Sequence, residues 1–202
     1  MTGDTAGVTN DGETMTLFDT PIATRSRPRA RAAQALRYEL NVLARDAADV
    51  VASIGGWLFD RRMAGWGVTV ALLDHRDERA LRILGVKVVE PDGVWPSTRH
   101  ERIVTTVVEA ELFDADSDMR SRVLTAMRRG DGEVAFWGSG APGLFGGGVR
   151  ATPYRLSVAA QAFKAHALAA VGDSITASGA EETLLLGGRS SGLLAEDMVP
   201  VC

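Results

Sequence analysis

The order of hydrophobic and polar residues predicts a chain in which helices and strands alternate. Apolar residues recur at three- and four-residue steps over Leu36–Leu58, a spacing that predicts one long amphipathic helix close behind Pro28. The almost wholly apolar, β-branched run Gly67–Leu73 predicts a buried strand, and Val86–Glu90 predicts a second one. Because a short helix is predicted between these two strands, they are expected to form a parallel β-α-β unit.

The same alternation continues through the second half of the chain. Helical spacing of apolar residues predicts helices over Ile103–Phe113 and from Ser117 to Gly130. Glu133–Trp137 predicts a third strand, and Tyr154–Val171 predicts a last helix. The residues predicted to pack on that last helix are Val158, Ala162, Phe163 and Ala169. The expected fold class is therefore α/β, a small three-layer sandwich with a mainly parallel sheet of about three strands.

Composition along the chain predicts one domain between two tails. Residues 1–27 are rich in Thr, Gly and Asp without a sustained period, which predicts a disordered N-terminal tail. Residues 28–171 then form a single α/β domain, and residues 172–202 are predicted to be a flexible C-terminal tail. Two apolar clusters in that tail, Leu184–Leu186 and Leu193–Leu194, are expected to dock on the domain or on a partner.

Charge and cysteine content point to a cytoplasmic protein without a general affinity for nucleic acid. The formal net charge is −4 and the pI is about 5.4, so nucleic acid is an unlikely partner of the whole chain. The single cysteine, Cys202, excludes a disulfide within the chain and fits a reducing compartment. No signal peptide and no apolar run of transmembrane length is visible, so no membrane association is predicted.

A glycine-rich segment after the third predicted strand raises the question of a phosphate site. Gly138, Gly140 and Gly143 have the spacing G-x-G-x-x-G of a dinucleotide-binding turn. Such a turn opens a helix, whereas Gly146–Gly148 would interrupt that helix, and no acidic residue follows at the distance expected for ribose binding. A Lys-Ser or Lys-Thr pair is missing as well, so no nucleotide cofactor is predicted.

A more general ligand site remains possible at the carboxyl edge of the predicted sheet. The segment Asp74–Arg79 leaves the first predicted strand, and the glycine-rich segment 138–148 leaves the third. Ligands of open α/β sheets bind beyond the carboxyl ends of the strands, so the two loops are expected to share one edge. The candidate ligand-binding residues are Asp74, His75, Arg76, Arg79, Gly138, Gly140 and Gly143. The alternative for Asp74 and Asp77 is capping of the following helix.

Metal and catalytic signatures are missing from the sequence. The three histidines are scattered and only one cysteine is present, so no metal-ligand spacing occurs. The acidic run Asp114–Asp118 departs from a calcium loop, because Met119 stands where that loop needs glycine. No metal is therefore predicted, and catalytic residues stay unassigned.

The predicted N-terminal tail carries two candidate partner-binding features. One is a basic cluster, Arg25, Arg27, Arg29 and Arg31, which is either a phosphate contact or a solvated entry to the first helix. The other is the apolar pair Leu17-Phe18. The segment Thr14–Phe18 resembles the short peptides by which bacterial replication and repair proteins bind the sliding clamp, although Thr14 stands in place of their leading glutamine.

These observations favour a non-catalytic cytosolic α/β module that acts through protein-protein contacts, in a regulatory or adaptor role. The alternative is a small-molecule or nucleotide-binding enzyme that uses the loops after the first and third predicted strands, Asp74–Arg79 and Gly138–Gly148. The sequence specifies neither the protein partner nor a substrate, and it leaves the oligomeric state open.

Overall fold

A computed structural model of the chain shows an α/β fold built on one mixed, mostly parallel sheet. It describes residues 2–3, 37–94, 102–130, 132–139, 149–172 and 179–187. The strands in these ranges are Arg37–Ala44 (β1), Gly67–Leu72 (β2), Lys87–Val89 (β3), Arg102–Glu109 (β4), Glu133–Trp137 (β5), Val149–Arg155 (β6) and Glu181–Gly187 (β7). The helices are Ala47–Met63 (α1), Glu78–Ile83 (α2), Ala110–Ala115 (α3), Ser117–Arg129 (α4) and Val158–Ala170 (α5), with a 3-10 turn at Pro91–Val94.

The strand order reverses between β1 and β4. Across the described strands the order is β3-β2-β1-β4-β5-β7-β6, and the first five are mutually parallel. The chain winds from β1 outward to β2 and β3, and then returns to place β4 on the other side of β1. Open α/β sheets bind ligands at such a reversal, outside the carboxyl ends of the two strands. The carboxyl ends of β1 and β4, the position that we call the crevice, are therefore where the fold is expected to place a site.

Helices cover both faces of the parallel part of the sheet. One buried cluster joins α1, α2 and α5 to side chains such as Leu40 and Val42 of β1. The other joins α3 and α4 to the opposite face, which includes Leu43 of β1. Because β1 is buried on both faces, its apolar residues follow one another instead of alternating with polar ones.

The predicted long helix over Leu36–Leu58 is wrong, and so is the predicted helix over Ile103–Phe113. Their described residues form a strand followed by a helix: β1 and α1 in the first case, β4 and α3 in the second. Both strands lie at the centre of the sheet and place apolar residues on both of its faces. These residues therefore include three- and four-residue steps that are also typical of a helix. The β-branched run Val104–Val108 was the signal that favoured a strand.

The sheet is also larger than expected, with seven strands in the described ranges instead of about three. Strand β6 begins before the predicted last helix, which starts only at Val158 after the N-cap residue Ser157. Strand β7 falls within the range predicted as a flexible tail, and Leu184 and Leu186 are buried in the core. The three strands that were predicted are confirmed as β2, β3 and β5, and β2 pairs with β3 in parallel as expected.

A buried ion pair attaches β7 to the helical layer. The Lys164 Nζ lies 2.7 Å from Glu182 Oε1, and each side chain is only 2% exposed. Glu182 also accepts hydrogen bonds from the backbone N–H groups of Gly56, at 2.9 Å, and Trp57, at 2.7 Å, inside α1. Lys164 donates a second bond to the Ala52 carbonyl at 2.7 Å. The pair thus joins α1, α5 and β7 with its charges fully surrounded by partners.

None of the helices within the described ranges has the length and apolar character needed to span a bilayer. The predictions made for residues 4–27 lie outside the described residues. The same holds for the candidate partner-binding residues Leu17, Phe18, Arg25, Arg27, Arg29 and Arg31.

Candidate active site

Chemically active groups from three neighbouring strands meet at the crevice between β1 and β4. Strand β1 is followed by Arg45 and Asp46, and then by α1. Strand β4 ends on Glu109, and α3 begins at the next residue. Strand β5 is followed by Gly138 and Ser139. Because the three strands are adjacent and parallel, their carboxyl ends deliver these residues to one edge.

Glu109 is the central group of this edge. Its residue is only 6% exposed, and its Oε2 accepts a hydrogen bond from the Arg45 backbone N–H at 2.6 Å. Burial raises the pKa of the Glu109 carboxyl, the charges of Asp49 and Glu111 raise it further, and the contacts with Arg45 oppose the change. Among the described residues Oε1 has no hydrogen-bond partner. A buried carboxyl with one free oxygen and a raised pKa is suited to taking up and releasing a proton.

Asp49 is held in one orientation beside Glu109. Its Oδ2 accepts a bond from the Trp137 indole Nε1 at 3.0 Å, and its Oδ1 accepts one from Ser53 Oγ at 3.2 Å. Its backbone N–H donates to Asp46 Oδ1 at 2.9 Å, which makes Asp46 the N-cap of α1. The first turn of α1 therefore sets the position of this second carboxylate.

Glu111 and Gly138 determine how the chain leaves β5. Glu111 Oε1 accepts the Ser139 backbone N–H at 2.5 Å. Gly138 has φ +99°, and a Cβ at this position would collide with the Glu111 carboxylate. Glycine is therefore required here on two grounds, backbone conformation and space. Of the three glycines with dinucleotide spacing, this is the one inside the described residues; Gly140 and Gly143 lie outside them.

The segment Asp74–Arg79 lies at the same edge but farther out. It follows β2, and β1 and β4 separate that strand from β5. Asp74 accepts hydrogen bonds from the Arg76 backbone N–H at 3.0 Å and from its Nε at 2.7 Å, and these contacts lower the pKa of Asp74. Arg79 is exposed. The expected shared edge exists, but Asp74 and Arg76 pair with each other instead of pointing toward β5.

His75 is paired with carboxylates near α2. Its Nδ1 lies 2.9 Å from Glu78 Oε1, and its Nε2 lies 3.2 Å from Glu90 Oε2. The hydrogen bond with Glu78 raises the pKa of His75, and Glu90 adds to the effect. Asp77 occupies the N-cap position of α2 without a side-chain cap bond, so the capping expected of it is not made.

Three of the carboxylates at this edge are engaged by other groups of the chain. Within the described ranges, no group of three or more His, Cys, Asp and Glu side chains is arranged to hold a metal ion. Asp46 is committed to capping α1, Asp49 to Trp137 and Ser53, and Glu111 to Ser139.

Sequence analysis missed the residues at the centre of this edge. They are Arg45, Asp46, Asp49, Glu109 and Glu111. Each lies in or next to a segment that was predicted as continuous helix, so the strand ends of β1 and β4 were hidden. The usable signal was a charged residue directly after an apolar, β-branched run, as in Glu109 after Val107 and Val108.

Comparison with known proteins shows a likeness in fold. No protein-family model matches the chain, and no curated protein matches it. A deacetylase from the biosynthesis pathway of teicoplanin, solved in complex with teicoplanin, is similar with a TM-score of 0.51 and 14% identity; the match covers 73% of this chain and 97% of that one. The A40926 pseudoaglycone deacetylase has a TM-score of 0.49 and 13% identity, over 73% of this chain and 96% of that one.

The first of these likenesses corrects the predicted function. The prediction of a non-catalytic module that works through protein contacts is contradicted, because the shared fold is one that carries a deacetylase. The likeness favours the alternative, a small-molecule or nucleotide-binding enzyme, over the non-catalytic module. At this level of identity the likeness concerns the fold alone, and a shared fold does not determine the reaction or the substrate.

Proposed function

We propose that this protein is an enzyme that hydrolyses an acyl group on a small molecule, with Glu109 as its general acid-base. The observation that carries the proposal is a nearly buried carboxyl with a raised pKa at the reversal of strand order. The reaction class is supported by the fold shared with the teicoplanin-pathway deacetylase.

The proposed reaction uses Glu109 twice. Its carboxylate takes a proton from a water molecule, whose oxygen attacks the carbonyl carbon of the bound amide. The protonated Glu109 then gives that proton to the leaving nitrogen, so the carbon-nitrogen bond breaks and a carboxylic acid and an amine are released. The Arg45 guanidinium supplies positive charge beside Glu109 for the oxygen that becomes negative during attack.

The charges at the edge favour a neutral or cationic substrate. Among the described residues that follow β1 and β4, the carboxyl groups of Asp46, Asp49, Glu109 and Glu111 outnumber the guanidinium of Arg45. An N-acylated amine or amino sugar meets this condition, whereas a phosphorylated compound would be repelled. The previously considered loop residues Asp74, His75, Arg76 and Arg79 then form an outer border beyond β2, and Gly138 forms the border on the β5 side.

The experiment is a turnover screen with matched variants. Wild type, Glu109→Gln and the control Glu181→Gln, an exposed carboxyl at the start of β7, are incubated with N-acetyl amino sugars, N-acyl amino acids and N-acetyl peptides, and released amine is measured. We expect turnover by wild type and the control and a loss of about 100-fold or more in Glu109→Gln. Equal turnover by Glu109→Gln, or no turnover of any panel member by wild type, would overturn the proposal.

A further inference from the structure

The outward face of α5 is apolar where a surface helix is normally polar. Val158 is 84% exposed and Phe163 is 42% exposed. The exposed residues of this helix, which we call the α5 face, are Val158, Ala159, Ala162, Phe163, His166 and Ala169. They include all four residues that the sequence predicts to be packed. The face therefore has the composition of an interior surface and lies on the outside of the monomer.

The permanently charged side chain of α5 lies in the core, whereas a surface helix normally directs its charged side chains to solvent. The one Lys, Arg, Asp or Glu residue of α5 is Lys164, whose side chain is 2% exposed and bound to Glu182 in the interior. The α5 face consequently carries no permanent charge along 13 residues, about 20 Å of helix. Hydrophilic surface helices of monomers place such charges outward, so this face has the character of a contact surface.

The apolar surface continues from α5 onto the end of α1. Phe163 stacks on Phe59 of α1 with ring centroids 4.4 Å apart, and Met63, one turn further along α1, is 63% exposed. Ser157, which caps α5, donates from its backbone N–H and from its Oγ to the Asp60 carboxylate, at 3.0 Å and 2.6 Å. Three of the four large apolar side chains that are exposed among the described residues thus belong to one surface.

We propose that the α5 face binds the α5 face of a second copy of this chain, in a two-fold symmetric dimer. An uncharged face is complemented by another uncharged face, and a second copy of the chain supplies one of matching size and composition. In a two-fold dimer the same face serves both partners, so no second surface is needed. The alanines allow the two helices to approach closely, and Val158 and Phe163 supply the apolar bulk.

The size of the surface sets the expected strength. A helix of about 20 Å with one turn of a neighbour falls at the small end of specific interfaces. The dimer is therefore expected to dissociate on dilution within the micromolar range instead of being permanent. This prediction is independent of the proposed hydrolase activity, because the α5 face and the crevice between β1 and β4 consist of different residues.

The test is the molar mass in solution, measured by sedimentation velocity from about 1 µM to about 300 µM. Wild type is expected to shift from monomer to dimer across this range. Val158→Glu and Ala162→Glu are expected to stay monomeric, while Ser121→Glu, which adds the same charge to an exposed position of α4, shifts as wild type does.

Val158→Glu separates loss of the dimer from loss of the fold. Val158 is the first residue of α5, where an acidic side chain interacts favourably with the helix dipole, and the first turn of α5 has none. We therefore expect this variant to melt no lower than wild type at low protein concentration while it fails to dimerise. A wild type that stays monomeric up to about 300 µM, or variants that dimerise as strongly as wild type, would overturn the proposal.

Discussion

The buried ion pair between Lys164 and Glu182 predicts that removing one member destabilises the protein more than removing the other. The two differ because Glu182 also accepts two backbone hydrogen bonds from α1. Replacing Glu182 with Leu leaves the Lys164 ammonium without a counter-charge in a site that is 2% exposed. It also removes the acceptor of the Gly56 and Trp57 backbone N–H groups. Replacing Lys164 with Met removes the charge that needs a partner and leaves both of those N–H bonds in place.

The expected costs differ by a measurable amount. Removing one partner of a buried pair typically costs about 3–5 kcal/mol, so Glu182→Leu should lie in that range. Lys164→Met should cost only about 1–2 kcal/mol, since the remaining carboxyl can be protonated. Burial already raises the pKa of Glu182 against the effect of Lys164. In Lys164→Met, the free energy of unfolding should therefore fall as pH rises above the ordinary range of a glutamic acid, because the folded state holds the proton more tightly.

The measurement is urea-induced unfolding of wild type, both single variants and the double variant at neutral pH. The double variant should be less destabilised than the sum of the two singles, because Lys164→Met removes the unpaired charge that Glu182→Leu creates. If Lys164→Met is as costly as Glu182→Leu, or if the effects of the two substitutions simply add, the account of this pair is wrong.

Two further predictions concern packing and titration. Gly56→Ala should destabilise the protein by about 1–3 kcal/mol, because the added Cβ would lie 2.5 Å from a Leu156 methyl group. Gly55→Ala should cost less, because its Cβ would lie 3.2 Å from Leu84. Equal midpoints of urea-induced unfolding for the two variants would contradict this prediction. His75 should titrate above its ordinary pKa of 6.5 by NMR and return toward it in Glu78→Gln. Any stability gained from this contact is complete below about pH 6.5 and is lost as the pH rises through the folded-state pKa of His75. If the titration midpoint of His75 is unchanged in Glu78→Gln, the hydrogen bond with Glu78 is not the cause of the raised pKa.

The sequence predicted β2, β3 and β5 more reliably than β1 and β4. Strands β2, β3 and β5 are short apolar runs bounded by turns, so their pattern has one interpretation. Strands β1 and β4 are each followed by a helix after at most two residues. The apolar residues of β1 and β4 fit the spacing of a helix as well as that of a buried strand. The pattern alone therefore does not distinguish a helix from a strand in these segments.

This ambiguity also concealed the candidate site. Glu109 acquires its raised pKa from burial and from Asp49 and Glu111, and of these only Glu111 is close to it in sequence. The crevice exists because β4 returns beside β1, which depends on topology and not on local pattern. The glycine-rich segment had indicated the β5 end of the same edge, where Gly138 leaves no room for a Cβ beside Glu111.

For helix α5, the sequence predicted the element but not the side of it that is buried. The residues predicted to pack are exposed: Val158, Ala162, Phe163 and Ala169. Lys164 is buried instead and meets Glu182 of β7. That contact spans 18 positions and lies in a range predicted to be a tail. The buried side of α5 is therefore the side that carries Lys164, and not the side that the apolar periodicity predicts.

The measurement that tests the central claim most directly is the pH dependence of kcat/KM for a substrate found in the screen, in wild type and Glu109→Gln. If Glu109 is the general base, wild-type activity falls on the acidic side with a pKa above the ordinary 4.5 of a glutamic acid. Glu109→Gln should lose this limb together with most of the activity. Its free energy of unfolding at neutral pH should be unchanged or higher, because a neutral side chain avoids the cost of a buried charge. An acidic limb at the ordinary pKa, or the same limb in Glu109→Gln, would contradict the account.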